Sequence, residues 1–110
     1  MTVKELKDNL ALTEFSVCDD SRTIDGVYAG DLLSWVMGHG SQDNCWITIM
    51  SNKNVAAVAS LLDFSCVILA EGVSPDDELK AAAEARGINI LGSGAGIYEV
   101  CTQLYSMLKA

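Results

Sequence analysis

The sequence predicts a single α/β domain with a mainly parallel sheet of about five strands flanked by helices. Three observations carry this expectation. From residue 45 onward, three short apolar runs (residues 45–50, 66–70 and 88–91) alternate with stretches of helical periodicity. The connections between them are short, so each strand–helix–strand step reads as a right-handed crossover within a parallel sheet. The runs are also almost continuously apolar, as strands covered by helices on both faces are. The two extended segments nearer the N-terminus either widen this sheet or pack beside it.

Each element has a local cause. Thr2 and Glu5 have the spacing of a capping box, and Val3, Leu6 and Leu10 line one face of a short first helix. An extended segment over residues 12–17 is followed by the polar turn Asp19-Asp20-Ser21. Residues 23–29 read as a second strand, with Gly26 allowing a bulge or a close backbone approach. Asp31 is placed to cap a helix over residues 32–37, which Gly38-His39-Gly40 terminates. Val55, Val58, Ala59 and Leu62 form the next helical stripe. Ser74-Pro75-Asp76-Asp77 then starts a helix with Ser at the cap and Pro at the first position, and Gly87 ends it. Ile97, Val100, Cys101, Leu104 and Leu108 give the last helix its buried face.

Composition excludes several classes. With 110 residues one domain is expected, and surface scaling at 11.7 kDa gives a folded area of about 5,900 Å² against roughly 17,000 Å² unfolded. The formal net charge is −8, and the seven basic residues are spread singly, so the clusters that neutralise nucleic-acid phosphates are missing. An acidic surface also repels an anionic membrane. No segment approaches the ~20 apolar residues needed to span a bilayer. The first residues lack the basic-then-apolar form of a signal peptide, so a cytoplasmic location is expected. Cys18, Cys45, Cys66 and Cys101 are scattered without CxxC spacing. They read as free thiols serving as small hydrophobes, with no metal or cofactor expected.

A parallel sheet brings the loops after its strands to one carboxyl edge, where open α/β sheets bind ligands. Those loops supply Ser51, Asn52 and Asn54, then Glu71 and Gly72, then Ser93 and Gly94 within Gly92-Ser93-Gly94-Ala95-Gly96. Their hydroxyls, amides and helix N-termini suit a small anion. Equally, Ser51 or Asn52 and Ser93 serve as helix caps, with the glycines making room for turns. The glycine run lacks GxGxxG spacing and a Lys-Ser/Thr pair, so no nucleotide fingerprint is present. Catalytic residues are not expected: His39 is the only histidine and lies in the glycine-rich punctuation, and Asp19-Asp20 and Asp76-Asp77 suit a turn and a helix start.

Residues 22–37, Arg-Thr-Ile-Asp-Gly-Val-Tyr-Ala-Gly-Asp-Leu-Leu-Ser-Trp-Val-Met, resemble the signature of the DRTGG domain family, most specifically in Tyr-x-Gly-Asp-Leu-Leu-Ser. Residues 46–51, 54–59, 67–72 and the Tyr98-Glu99 helix are similar to it as well. Asp25 stands where the first glycine of the family's pair falls, and Ser21 takes the place of its aspartate. The resemblance implies a fold like the N-terminal domain of HPr kinase. The family's domain occurs alone or attached to CBS-containing pyrophosphatases and phosphotransacetylases, and free-standing members occur beside iron-only hydrogenase components. The positions that carry over are Gly26, Tyr28, Gly30, Asp31 and Ser34; with Trp35 they make a backbone-shaping segment and a candidate dimer surface.

A non-catalytic, ligand-sensing regulatory domain, acting as a homodimer on a small anionic metabolite or nucleotide, is therefore the first expectation. A protein-interaction accessory of a hydrogenase or other redox complex is the second. An iron–sulfur carrier using the four cysteines is the third.

Overall fold

Thr2 starts the first helix as its spacing predicts: its hydroxyl accepts from the Glu5 N–H, and Glu5 reaches back to the Thr2 N–H. The computed structural model describes residues 1–109. Along the chain run α1 (Val3–Leu10), β1 (Thr13–Ser16), β2 (Gly26–Ala29), α2 (Leu33–His39), β3 (Asn44–Thr48), α3 (Asn54–Leu62), β4 (Cys66–Leu69), α4 (Asp77–Arg86), β5 (Ile90–Gly92) and α5 (Ile97–Lys109). The folded area is 5478 Å², near the value that chain mass implies. No described helix is long and apolar enough to cross a membrane.

The strands form one sheet in the order β1-β5-β4-β3-β2. The four strands from β2 to β5 are parallel neighbours, and β1 closes the far edge antiparallel to β5. Both N-terminal strands thus widen the sheet, one at each edge. Side-chain alternation divides the core into two layers. Trp46, Val67, Leu69 and Ile90 face α2, α3 and α4, with Val55, Ala59, Leu79 and Ala83 packed on them. Cys45, Ile47, Cys66, Ile68 and Leu91 face α1 and α5, against Val3, Leu6, Val100 and Leu104. The chain is a three-layer α/β/α domain.

Several local expectations differ from the structure. Asp76, not Ser74, caps α4, accepting from the Leu79 N–H at 2.8 Å. Asp76 lies one residue before the helical dihedrals begin, so it is the oxygen that reaches an orphaned first-turn donor. Asp31 caps nothing: the residue before α2 is Leu32, which has no side-chain cap bond and is 61% exposed. Gly38 and His39 belong to the last turn of α2 rather than to a loop beyond it.

The amino edge is held by two polar hubs. Arg22 reaches Asp43 at 2.9 Å and Asp63 at 3.0 Å, and donates to the Asp63 carbonyl. Burial opposes the guanidinium charge, but the hydrogen bond to Asp43 and the attraction of Asp63 outweigh it and raise the Arg22 pKa. Asn89 is buried and makes four hydrogen bonds, from the N–H groups of Cys18 and Asp19 and to the carbonyls of Asp19 and Ser65. The segment that precedes β2 is fastened likewise: Val3 donates to the Arg22 carbonyl, Ser65 to the Thr23 carbonyl and Asp25 to the Asp43 carbonyl. The turn carrying the family-like Arg-Thr pair is consumed by structural bonds.

Candidate functional site

Parallel pairing of β2 to β5 places the loops after these strands at one edge, as the topology predicts. The helices do not all turn the same way from that edge. α4 returns over the face that carries α2 and α3, whereas α5 crosses to the opposite face. The carboxyl ends of β4 and β5 therefore flank the point where connections diverge, which is where open sheets leave a crevice. Glu71, Gly72, Ser93 and Gly94 stand there.

Hydrogen bonding shapes this crevice. The Ser93 N–H donates to the Leu69 carbonyl, Gly72 to Ser93 and Glu71 to Ala95, so the two loops continue the ladder beyond the strands. The N–H groups of Glu71, Gly72 and Ser93 are thereby used internally and do not face a ligand. Glu71 and Gly72 have φ of 61° and 71°, and Val73 donates back to the Ala70 carbonyl, the left-handed pair of a type I′ turn. Glycine suits the second position; glutamate at the first is an uncommon left-handed residue.

The free donors lie one step further on. Val100 donates to the Gly96 carbonyl, so α5 begins there and the N–H groups of its first turn have no acceptor within the helix. The Ser93 hydroxyl accepts from the Ala95 N–H, at 3.1 Å, and holds the glycine run in place. A cavity of about 310 Å³ opens beside it, between Thr13 and Phe15 of β1, Gly72 to Ser74, and Gly92 to Gly94. The Glu71 carboxylate stands at the start of α5: a methyl on Gly96 would lie 3.4 Å from Glu71 Oε2. A negative group beside a helix N-terminus is favoured by about 0.3–1 kcal/mol. Glu71 thus occupies the place an exogenous anion would take. Glu71→Gln is expected to lower stability by less than about 1 kcal/mol while tightening any anion bound there. Paired melting and titration measurements on the two proteins check this, and weaker anion binding in the variant would refute it.

The loop after β3 contributes differently. Asn52 Oδ1 accepts from the Asn54 N–H at 2.9 Å, and the Asn52 and Lys53 carbonyls take up the next N–H groups of α3. The Ser51 carbonyl accepts from Asp76. The residue at the α3 cap position is Lys53, without a side-chain cap bond, so Asn52 acts from one residue earlier through its bond to Asn54; Ser51, Asn52 and Asn54 do not line the cavity. Lys53, the basic residue in these loops, is paired with Glu78 at 3.4 Å on the surface.

The family-like residues fall at both ends of β2. Gly30 donates to the Ile47 carbonyl and accepts from Trp46 Nε1 at 2.8 Å. Asp31 Oδ1 accepts from the Thr48 hydroxyl at 2.6 Å and the Ile49 N–H at 3.0 Å, tying the loop after β2 to the end of β3. Gly26 and Gly30 do not use left-handed angles. Their need is for space: a methyl on Gly26 would meet Asn44 Nδ2 at 2.9 Å, and one on Gly30 would meet the Tyr28 ring at 3.2 Å. Ser34 and Trp35 are exposed on α2. The Trp35 and His39 rings stack 4.7 Å apart, with Tyr28 on the same stack. The Trp35 carbonyl accepts from His39 Nδ1 at 2.8 Å, so that imidazole is held in place rather than loose.

The cysteines separate into two kinds. Cys45 and Cys66 are register partners in β3 and β4 and are buried; contact with Cys66 and burial push the Cys45 thiol well above its usual pKa. Cys18 is exposed and Cys101 half-buried, with burial raising the Cys101 pKa. Among the described residues no group of three His, Cys, Asp or Glu side chains is gathered as metal ligands. Sequence reasoning missed Thr13, Phe15, Val73 and Ser74 as cavity walls, because the first three carry only an ordinary strand or loop signal and Ser74 reads as a helix cap. It also missed Asn89, whose polar side chain inside the apolar run 88–91 was the available clue.

No family model and no curated protein matches the chain. Among solved structures it is similar to the CBS and DRTGG domains of the regulatory region of Clostridium perfringens pyrophosphatase, which was solved with its activator, diadenosine tetraphosphate. The TM-score is 0.71 at 13% sequence identity, over 92% of this chain and 44% of that one. This chain thus matches less than half the length of that structure. At that identity the likeness carries the fold alone. What the chain shares with that regulatory region is a mostly parallel, five-stranded α/β domain of the DRTGG-like type.

Proposed function

We propose that this chain is a non-catalytic regulatory module which, as a homodimer, senses a small phosphate-bearing metabolite or nucleotide. The observation that carries the reading is the cavity at the divergence of α4 and α5, walled by Gly72 to Ser74 and by Gly92 to Gly94 of the run that leads into α5. The pyrophosphatase regulatory region, similar in fold, was solved with a dinucleotide activator, which supports a phosphate-bearing ligand class. A non-catalytic role agrees with His39, whose Nδ1 is bonded to the Trp35 carbonyl and whose ring stacks on Trp35. The net charge of −8 opposes an anion at long range, so binding rests on close backbone donors rather than on steering.

Thermal melting against inorganic phosphate, AMP, ATP and diadenosine tetraphosphate tests the reading. A ligand at about 100 times its Kd adds roughly 2.7 kcal/mol and raises Tm by several degrees. Gly94 has open space around its Cα and no left-handed angle, so Gly94→Val can fill the site without disturbing the fold. The variant is expected to melt like the parent and to bind at least tenfold more weakly. A parent whose Tm ignores every compound in the panel ends the sensing reading.

A further inference from the structure

The two edges of the sheet are built differently. At the β1 edge the register shifts between Glu14 and Ser16, and Lys7 pairs with Glu14 across it. A bulge and charged side chains are the devices that keep an edge strand from pairing with another chain. The β2 edge has neither. Gly26-Val27-Tyr28-Ala29 pairs with β3 in unbroken register and contains no charge and no proline. Since Gly30 donates to the Ile47 carbonyl, alternation turns the N–H and C=O groups of Val27 and Ala29 to the open side.

Apolar surface flanks this bare edge on both faces of the sheet. On one, Val27 and Ala29 join Cys101, Tyr105 and Leu108 of α5 in a groove of about 580 Å³. On the other, Tyr28 leads through His39 to Trp35, and exposed Leu32 immediately precedes α2. Leu32, Trp35 and Tyr105 are 61%, 58% and 63% exposed and together offer on the order of 400 Å². With the strand and groove walls, the face approaches the ~800 Å² per partner that a stable complex buries.

We infer that β2 pairs antiparallel with β2 of a second copy across a two-fold axis, joining two sheets into one of ten strands. This deepens the homodimer reading above and rests on it. Three features select a second copy as the occupant. The exposed area approaches what a stable dimer buries. An antiparallel pair of identical strands supplies its own donors and acceptors, and the two-fold closes the assembly. Among the described residues the face carries little charge: Lys109 lines the groove, and the carboxylates of Asp25 and Asp31, which flank β2, are turned inward to Asn44 and to Thr48 and Ile49. In a chain of net charge −8, two copies meet with least repulsion at such a face.

Ala29→Lys places an edge-protecting charge on an exposed residue, and Ala85→Lys puts the same charge on the exposed side of α4, away from either sheet edge. Native mass spectrometry and sizing of the full chain are expected to give a dimer for the parent and for Ala85→Lys. Ala29→Lys is expected to be a monomer, with its dissociation constant raised at least a hundredfold and its circular dichroism unchanged. Hydrogen exchange should show the Val27 and Ala29 amides protected in the parent dimer. If Ala29→Lys does not fold, rapid exchange of those two amides in the parent dimer overturns the pairing by itself. A monomeric parent overturns both the homodimer reading and the pairing. A dimer that survives Ala29→Lys overturns only the pairing.

Discussion

Trp46→Ala is expected to cost about 3–5 kcal/mol, the range for deleting a large buried aromatic. The Trp46 side chain is fully buried in β3, between the sheet and the layer of α2 and α3. Its ring meets Phe64 with centroids 5.8 Å apart in a tilted arrangement, and Nε1 donates to the Gly30 carbonyl. Alanine removes the packing and strips that carbonyl of its donor together. Domains of this size have about 5–15 kcal/mol in total, so the variant should sit near the edge of folding. Urea titration with a constant m-value measures the loss, and a change below about 1 kcal/mol would contradict the burial of Trp46. Trp46→Phe keeps most of the apolar volume and loses the donor, so it should fall well short of the alanine variant. The same contact fixes where β2 ends, because Gly30 is held from both sides by β3 residues. Trp46→Ala should therefore also weaken any assembly through the β2 edge.

Asn89→Ala is expected to be nearly as damaging, at roughly 3 kcal/mol or more, although it removes only a small polar group. Four backbone groups depend on that amide: the N–H groups of Cys18 and Asp19, and the carbonyls of Asp19 and Ser65. Each buried group left without a partner costs about 1–3 kcal/mol, and part of that is recovered where water can enter. The Asn89 side chain joins the segment after β1 to the start of β4, so its loss should open the amino edge first. Hydrogen exchange at Cys18 and Asp19 reads that opening directly, and protection unchanged from the parent would sink the hub assignment. Asn89→Leu restores volume without the amide and should rescue little, which separates lost hydrogen bonds from a lost contact.

The succession from β3 to α5 was readable because its signals are local. Apolar runs of four or five residues, helical stripes and turn residues recur in order, and each depends on neighbours in the chain. The start of α4 shows the limit: Ser74, Asp76 and Asp77 all offer a capping oxygen, and only the backbone angles decide for Asp76. Asp31 shows it more sharply. A carboxylate just before a helix reads as a cap, yet its partners are Thr48 and Ile49, which adjoin it only after β2 and β3 pair. Gly26 and Gly30 stood out as special in sequence; the crowding by Tyr28 at Gly30 is local, whereas that by Asn44 at Gly26 is tertiary.

The candidate site divides along the same line. Convergence of Ser51, Asn52, Asn54, Glu71, Gly72, Ser93 and Gly94 at one edge follows from parallel topology, which the order of elements implies. Which of their donors remain open does not follow from it. The loops after β4 and β5 bond to each other, Asn52 closes the start of α3, and Glu71 stands over the start of α5. By itself, then, the sequence determined the α/β class, the element order, the acidic surface and the edge at which the loops after the parallel strands converge. The tertiary structure alone decided which strand edge is left bare and which backbone groups stay free. Hydrogen-bond partners distant in the chain become neighbours only when the sheet is assembled, and their pairing is what leaves a donor or an edge unused.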